Sequence, residues 1–155
     1  MDSFRIKYLF ISPVHNFFGH HGAPPGESPI IECAEVRCLA GRGIEGDRFC
    51  DHRPDYRGQV TFFARETYDE LCARFSLWHV PPSAFRRNII LEGADLPALI
   101  GREFEIHGVR FLGTEESAPC QWMNVAFCPG AEHALAGRGG LRAKILTSGT
   151  LRVDA

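Results

Sequence analysis

The sequence predicts a mainly β domain, a closed or partly closed barrel with a few short helices, and three observations carry that expectation. Short runs of β-branched and aromatic residues with period-two alternation recur along the chain. Clusters of Gly, Pro and Asp separate them at short intervals. Only one long stretch has the periodicity of a helix. About seven strands with so few helices favour closure, because a barrel leaves no exposed edge. With 155 residues, 45% hydrophobic and 23% charged, the chain reads as one soluble domain, 1–155, able to bury a core without disulfides.

The elements follow in order. Residues 4–11 are rich in β formers and place Phe4, Ile6, Tyr8 and Phe10 on one face at period two, an opening strand. Residues 12–28 hold Pro13, Gly19, Gly22, Pro24, Pro25 and Gly26 with three histidines, a long loop of the kind that is more often functional than idle. Together these make an N-terminal part, 1–29, of a strand and a His/Gly/Pro-rich loop. Residues 30–39 return to strand composition and end in Gly41-Arg-Gly-Ile-Glu-Gly-Asp47, whose glycines imply positive φ or close backbone approach. Residues 59–63 read as a strand running into the clear helix, in which Tyr68, Leu71, Cys72 and Phe75 share a stripe that places Cys72 in the core. Pro81-Pro82 breaks the chain before a short strand at 88–91. Two alternating runs flank His107-Gly108 as a tight hairpin, 131–136 is a short helix, and 141–146 with 150–153 close the chain as two strands.

Composition excludes several functions. The net charge of -2 gives no field for nucleic acid or an anionic membrane surface. No stretch approaches the ~18 apolar residues of a membrane helix, and the charged N-terminus does not resemble a signal segment, so a cytoplasmic location is expected. There the six cysteines stay reduced, and their spacings suit neither a disulfide framework nor a zinc knuckle. Of the 17 basic residues only Lys7 and Lys144 are lysine; the arginine excess suits oxyanion binding, although a GC-rich genome alone produces the same skew. No P-loop, dinucleotide fingerprint or hydrolase signature occurs.

A few residues carry chemistry in this pattern. Cys120 follows Pro119 on a loop leaving a strand, where a thiol is accessible, and is the nucleophile or metal-ligand candidate of the six. Arg86-Arg87-Asn88 offers two guanidinium forks and an amide at the start of a strand, a set that suits a phosphate or a carbonyl-rich ring. The glycine turn at Gly46-Asp47 presents backbone N–H groups to an anion. His15, His20 and His21 are possible imidazole ligands without defined facing geometry, and a surface role fits them better.

An ordered set of motifs is more specific than any of these alone: Gly43-Ile-Glu-Gly-Asp-Arg-Phe49, Gly58-Gln-Val-Thr-Phe-Phe63 leading to Glu66, Arg86-Arg-Asn-Ile-Ile90, Gly93-Ala-Asp-Leu96 with Leu99-Ile-Gly101, Pro119-Cys120, and Gly140-Leu-Arg-Ala143. Over about 30–153 this set resembles a stand-alone MOSC domain, named for the C-terminus of molybdenum cofactor sulfurases. The resemblance implies a β-rich, barrel-like fold and a cysteine, here Cys120, that carries sulfur or ligates molybdenum. It implies that Arg86 and Asn88, with Arg87 beside them, contact a molybdenum-pterin cofactor, and that Gly46 and Asp47 have a structural or pocket-forming role. Two functions follow: a sulfur-carrier or cofactor-binding module, whose partner is a sulfur donor or a metal-sulfur acceptor protein, or a molybdoenzyme reducing N-hydroxylated substrates with an external electron-donor protein. A non-catalytic binding domain is the third. Pyridoxal phosphate chemistry belongs to the separate desulfurase domain of the larger sulfurases, and neither lysine here suits an aldimine. Unlike many members, the chain ends in Asp154-Ala155 without a final Gly-Asp, and it carries no preceding β-barrel domain; both features argue against one chain enclosing a whole cofactor.

Overall fold

The structure, a computed structural model, describes residues 4–13, 30–77, 80–119, 123–124 and 127–154. It is mainly β with few helices, as the sequence predicts. The strands are β1 (Arg5–Ile11), β2 (Ile31–Cys33), β3 (Glu35–Leu39), β4 (Gly43–Ile44), β5 (Val60–Ala64), β6 (Ile89–Glu92), β7 (Glu103–Ile106), β8 (Val109–Glu116), β9 (Leu141–Ile145) and β10 (Gly149–Arg152). Helix α1 spans Arg65–Phe75 and the short α2 spans Ala131–Ala134, with single 3-10 turns at Pro82–Phe85 and Leu96–Leu99.

The strands form two sheets. Seven lie in the order β2-β1-β6-β5-β9-β8-β7, and three in the order β10-β3-β4. The barrel expected from the sequence is not found in this pairing: among the described residues β2 and β7 end the large sheet with no ladder joining them. The core is closed in another way. Val36, Cys38, Ile44 and Leu151 of the small sheet are buried in one cluster with Phe62, Ile89 and Phe111 of the large one, so the second sheet walls off apolar surface that edge pairing would otherwise enclose.

Residues 30–39 are not one strand. The chain bends at Ala34, so that β2 pairs with β1 while β3 pairs with β10 and β4, and the two sheets share this crossing point. The single face expected for the first strand also fails, because the β1–β6 register shifts between Ile6 and Tyr8. An extra residue in one strand reverses every side chain after it. Ile6 and Leu9 therefore enter the core between the sheets, while Phe10 enters a second core on the opposite face of the large sheet.

That second core lies under α1. Leu71 and Cys72 of the helix stripe pack with Phe63, Phe85 and Ile90, and Cys72 is fully buried as expected. Among the described residues, strand β5, helix α1 and parallel strand β6 form the one crossover unit of the sheet. It brings the start of β6 beside the start of β5, next to the end of β1. No helix among the described residues is long and apolar enough to cross a membrane.

Candidate functional site

The site grows from the start of β6. Pro81 is extended, the following 3-10 turn ends at Arg86, and Arg86 takes the left-handed conformation (φ 57°) with its N–H on Ser83 O at 3.0 Å. A non-glycine residue held there costs free energy that the surrounding packing must supply. The turn delivers Arg86, Arg87 and Asn88 to the sheet as consecutive residues.

Asn88 is buried and its amide is fully used. Its Oδ1 accepts from Thr61 N (3.0 Å) and Thr61 Oγ1 (3.1 Å), and its Nδ2 donates to Phe10 O (3.2 Å) and Asp47 Oδ1 (3.3 Å). That is the complete hydrogen-bonding capacity of a primary amide. Arg87 is a clamp: Nε donates to Gly139 O (3.0 Å), Nη1 to Phe85 O (2.9 Å), and Nη2 to Ser117 O (3.0 Å) and, at 3.5 Å, to Ala118 O. It ties together three segments far apart in sequence, one of which runs through Ser117 and Ala118 to Pro119, the residue before Cys120.

The glycine turn docks on the same place. Gly46 has φ 88°, which a side chain would strain. The turn sets Arg48 N on Ser12 O (2.8 Å), while Asp47 Oδ1 accepts from Ser12 N (2.8 Å) as well as from Asn88, and Asp47 Oδ2 accepts from Phe49 N (3.2 Å). Of the expected pocket residues, Asp47 thus meets Asn88, although some 40 residues separate them in the chain.

Arg48 was not singled out by the sequence, and its environment is unusual. Its side chain is 10% exposed, its Nη1 lies 3.9 Å from Asp47 Oδ1, and its guanidinium sits over the Phe49 ring at 4.6 Å. Its Nε is buried with no hydrogen-bond partner. Burial pulls its pKa down and Asp47 opposes that shift; arginine nonetheless stays charged. Arg48, Arg86, Arg87 and Asn88 line one crevice of about 10 Å³ together with Ser12 and Ile30. The signal that could have identified Arg48 was its position directly after the Gly46-Asp47 turn. Gly139-Gly140 was likewise passed over as a contact point: a Cβ on Gly139 would lie 2.4 Å from Ser117 O, and one on Gly140 2.3 Å from Phe62 O.

Cys120, His15, His20 and His21 lie outside the described residues. The other five thiols are poor nucleophiles. Burial pushes Cys38 up to about 12 and raises Cys33, Cys50, Cys72 and Cys128 as well. Among the described residues no group of three or more His, Cys, Asp or Glu is placed to hold a metal ion. Larger hollows lie elsewhere; the one of about 590 Å³ along β7 is lined by Glu103, Glu105, His107 and Arg110.

Comparison with known proteins agrees with the motif pattern. The family model of the MOSC domain matches residues 19–155. No curated protein matches the sequence. Among solved structures, the fold is similar to the YuaD protein from Bacillus subtilis (TM-score 0.69, 16% identity, 99% of this chain and 94% of that one). It is also similar to YiiM from Geobacillus stearothermophilus (TM-score 0.67, 13% identity, 96% and 71%) and YiiM from Escherichia coli (TM-score 0.63, 18% identity, 96% and 67%).

Proposed function

The chain belongs to the MOSC domain family, and from that premise we propose that it is a molybdenum-cofactor-binding module in which Cys120 supplies the thiolate ligand. The supporting observation is convergence: Asn88 joins the Gly46-Asp47 turn to the start of β6, and Arg87 joins that strand to the segment entering Pro119-Cys120. Two motifs remote in sequence, and the segment that leads into the third, are thereby tied together by hydrogen bonds.

The residues fit an anionic pterin cofactor, because Arg48 keeps a buried N–H without an acceptor beside Arg86. When bound, such a cofactor supplies two-electron chemistry at the metal. The protein's part is positional. Arg48 and Arg86 meet the anionic portion, while Arg87 and Asn88, whose donors are spent on backbone and Asp47, hold the surrounding chain in place. Cys120 is the one thiol whose reactivity the described burial does not account for.

The test is elemental analysis of protein made in a cofactor-competent host. Stoichiometric molybdenum that is lost in Cys120→Ala supports the reading. A protein free of molybdenum that forms a persulfide on Cys120 with a sulfane donor overturns it in favour of a sulfur carrier.

A further inference from the structure

The crevice below Arg86 has the properties of a binding site for one class of ligand. Arg48, Arg86 and Arg87 line it together, in a protein whose net charge is -2, and the carboxylate beside Arg48 is Asp47. That carboxylate is already committed: its oxygens accept from Ser12 N, Asn88 Nδ2 and Phe49 N, and Arg48 approaches it no closer than 3.9 Å. Arg87 spreads its charge over backbone carbonyls of Phe85, Ser117, Ala118 and Gly139. Arg48 has no such set. Its side chain is nine-tenths buried, and its Nε lacks any acceptor. A buried charge with incomplete hydrogen bonding is costly, and natural proteins keep such groups where a ligand completes them.

We propose that Arg48 is the floor of an oxyanion subsite that takes one oxygen of a tetrahedral oxyanion at its Nε, with Arg86 at the rim. The shared chemistry is that of free inorganic phosphate and of the phosphoryl end of a phosphomonoester. The size of the crevice supports insertion of a single oxygen. About 10 Å³ holds one oxygen-sized group and no more, so the remainder of the anion faces outward. The guanidinium suits that contact, since a charged N–H donates a short, strong hydrogen bond to an anionic oxygen. The inference deepens the proposed function at the same site and rests on it only for the identity of the larger ligand; it needs neither molybdenum nor Cys120.

The experiment is titration of the full chain with inorganic phosphate, and separately with glycerol phosphate, at constant ionic strength, followed by calorimetry and by thermal melting. Wild type binds with a saturable 1:1 isotherm and melts higher as the anion is added. Tighter binding of glycerol phosphate assigns the subsite to the end of a larger ligand, and tighter binding of inorganic phosphate assigns it to the free ion. Arg48→Met weakens binding about tenfold or more, as loss of a charge-assisted hydrogen bond requires. Without anion it melts no lower than wild type, because it removes an unsatisfied buried charge. Arg48→Lys keeps a charge beside Asp47 but lacks Nε, and it too loses most of the phosphate response. Protein made free of molybdenum keeps that response in full, which separates this subsite from the molybdenum reading. Equal phosphate responses in wild type and both Arg48 variants overturn the proposal. So does a wild type that shows no saturable binding, with Arg48→Met melting several degrees lower, since Arg48 would then be a structural partner of Asp47.

Discussion

Asn88 illustrates what a single side chain does in this protein. A primary amide has two acceptor and two donor positions, and here all four are satisfied inside the protein by β5, the end of β1 and the glycine turn. Removing it leaves Thr61 N, Phe10 O and part of Asp47 without partners in a buried place. Asn88→Ala is therefore expected to cost about 3 kcal/mol of unfolding free energy, more than an average hydrogen bond, because the orphaned groups carry the penalty. Urea denaturation measures this directly; a loss below about 1 kcal/mol would show that water replaces the network. From the sequence, Arg86-Arg87-Asn88 was legible as a polar cluster suited to ligand contact. Which of the three would face inward was not, because the partners, Thr61, Gly139 and Ser117, lie 27 to 52 residues away.

At the scale of elements, glycines decide where segments touch. Gly140, just before β9, has φ 119°, and a Cβ there would lie 2.3 Å from Phe62 O and 3.2 Å from the Nε of Arg87. Gly137 also has positive φ, at 79°, but its Cβ would meet nothing within 4 Å. Gly137→Ala should cost about 1 kcal/mol from backbone strain alone. Gly140→Ala should cost about 4 kcal/mol, because strain is joined by displacement of β5 and of the Arg87 clamp. Thermal melts of the two variants compare the terms, and equal losses would mean that the close approach contributes nothing. Helix α1 was legible from its stripe and the β7–β8 hairpin from His107-Gly108, since both are local patterns. The bend at Ala34 and the register shift in β1 were not, since each is fixed by pairing with strands distant in sequence.

For the whole molecule, the two sheets meet over one core, and Cys38 sits in it fully buried. Its thiol ionises near 9.0 when unfolded, and burial pushes it up to about 12 in the folded protein. Between those values the folded state holds a proton that the unfolded state has released, so stability falls as pH rises. At pH 10 that linkage costs wild type about 1.4 kcal/mol relative to neutral pH, a loss that Cys38→Val avoids. Chemical denaturation of both proteins at pH 7 and pH 10 gives the difference. Parallel pH profiles would show that Cys38 is not shielded by the packing of the sheets.

By itself the sequence determined the β-rich class, the helix that carries Tyr68, Leu71, Cys72 and Phe75, and the membership signalled by an ordered series of motifs. These are carried by local periodicity, turn residues and residue identities, which need no knowledge of what folds against what. Only the tertiary structure decided that two open sheets rather than a closed barrel enclose the core. Only it brought Arg48 to one crevice with Arg86–Asn88, and only it left that guanidinium nine-tenths buried with its Nε unpaired. The reason is physical: burial and hydrogen-bond partnership are properties of pairs of segments distant in sequence. A residue whose neighbours in sequence look ordinary becomes a binding group only when the fold removes it from water without supplying a full set of acceptors.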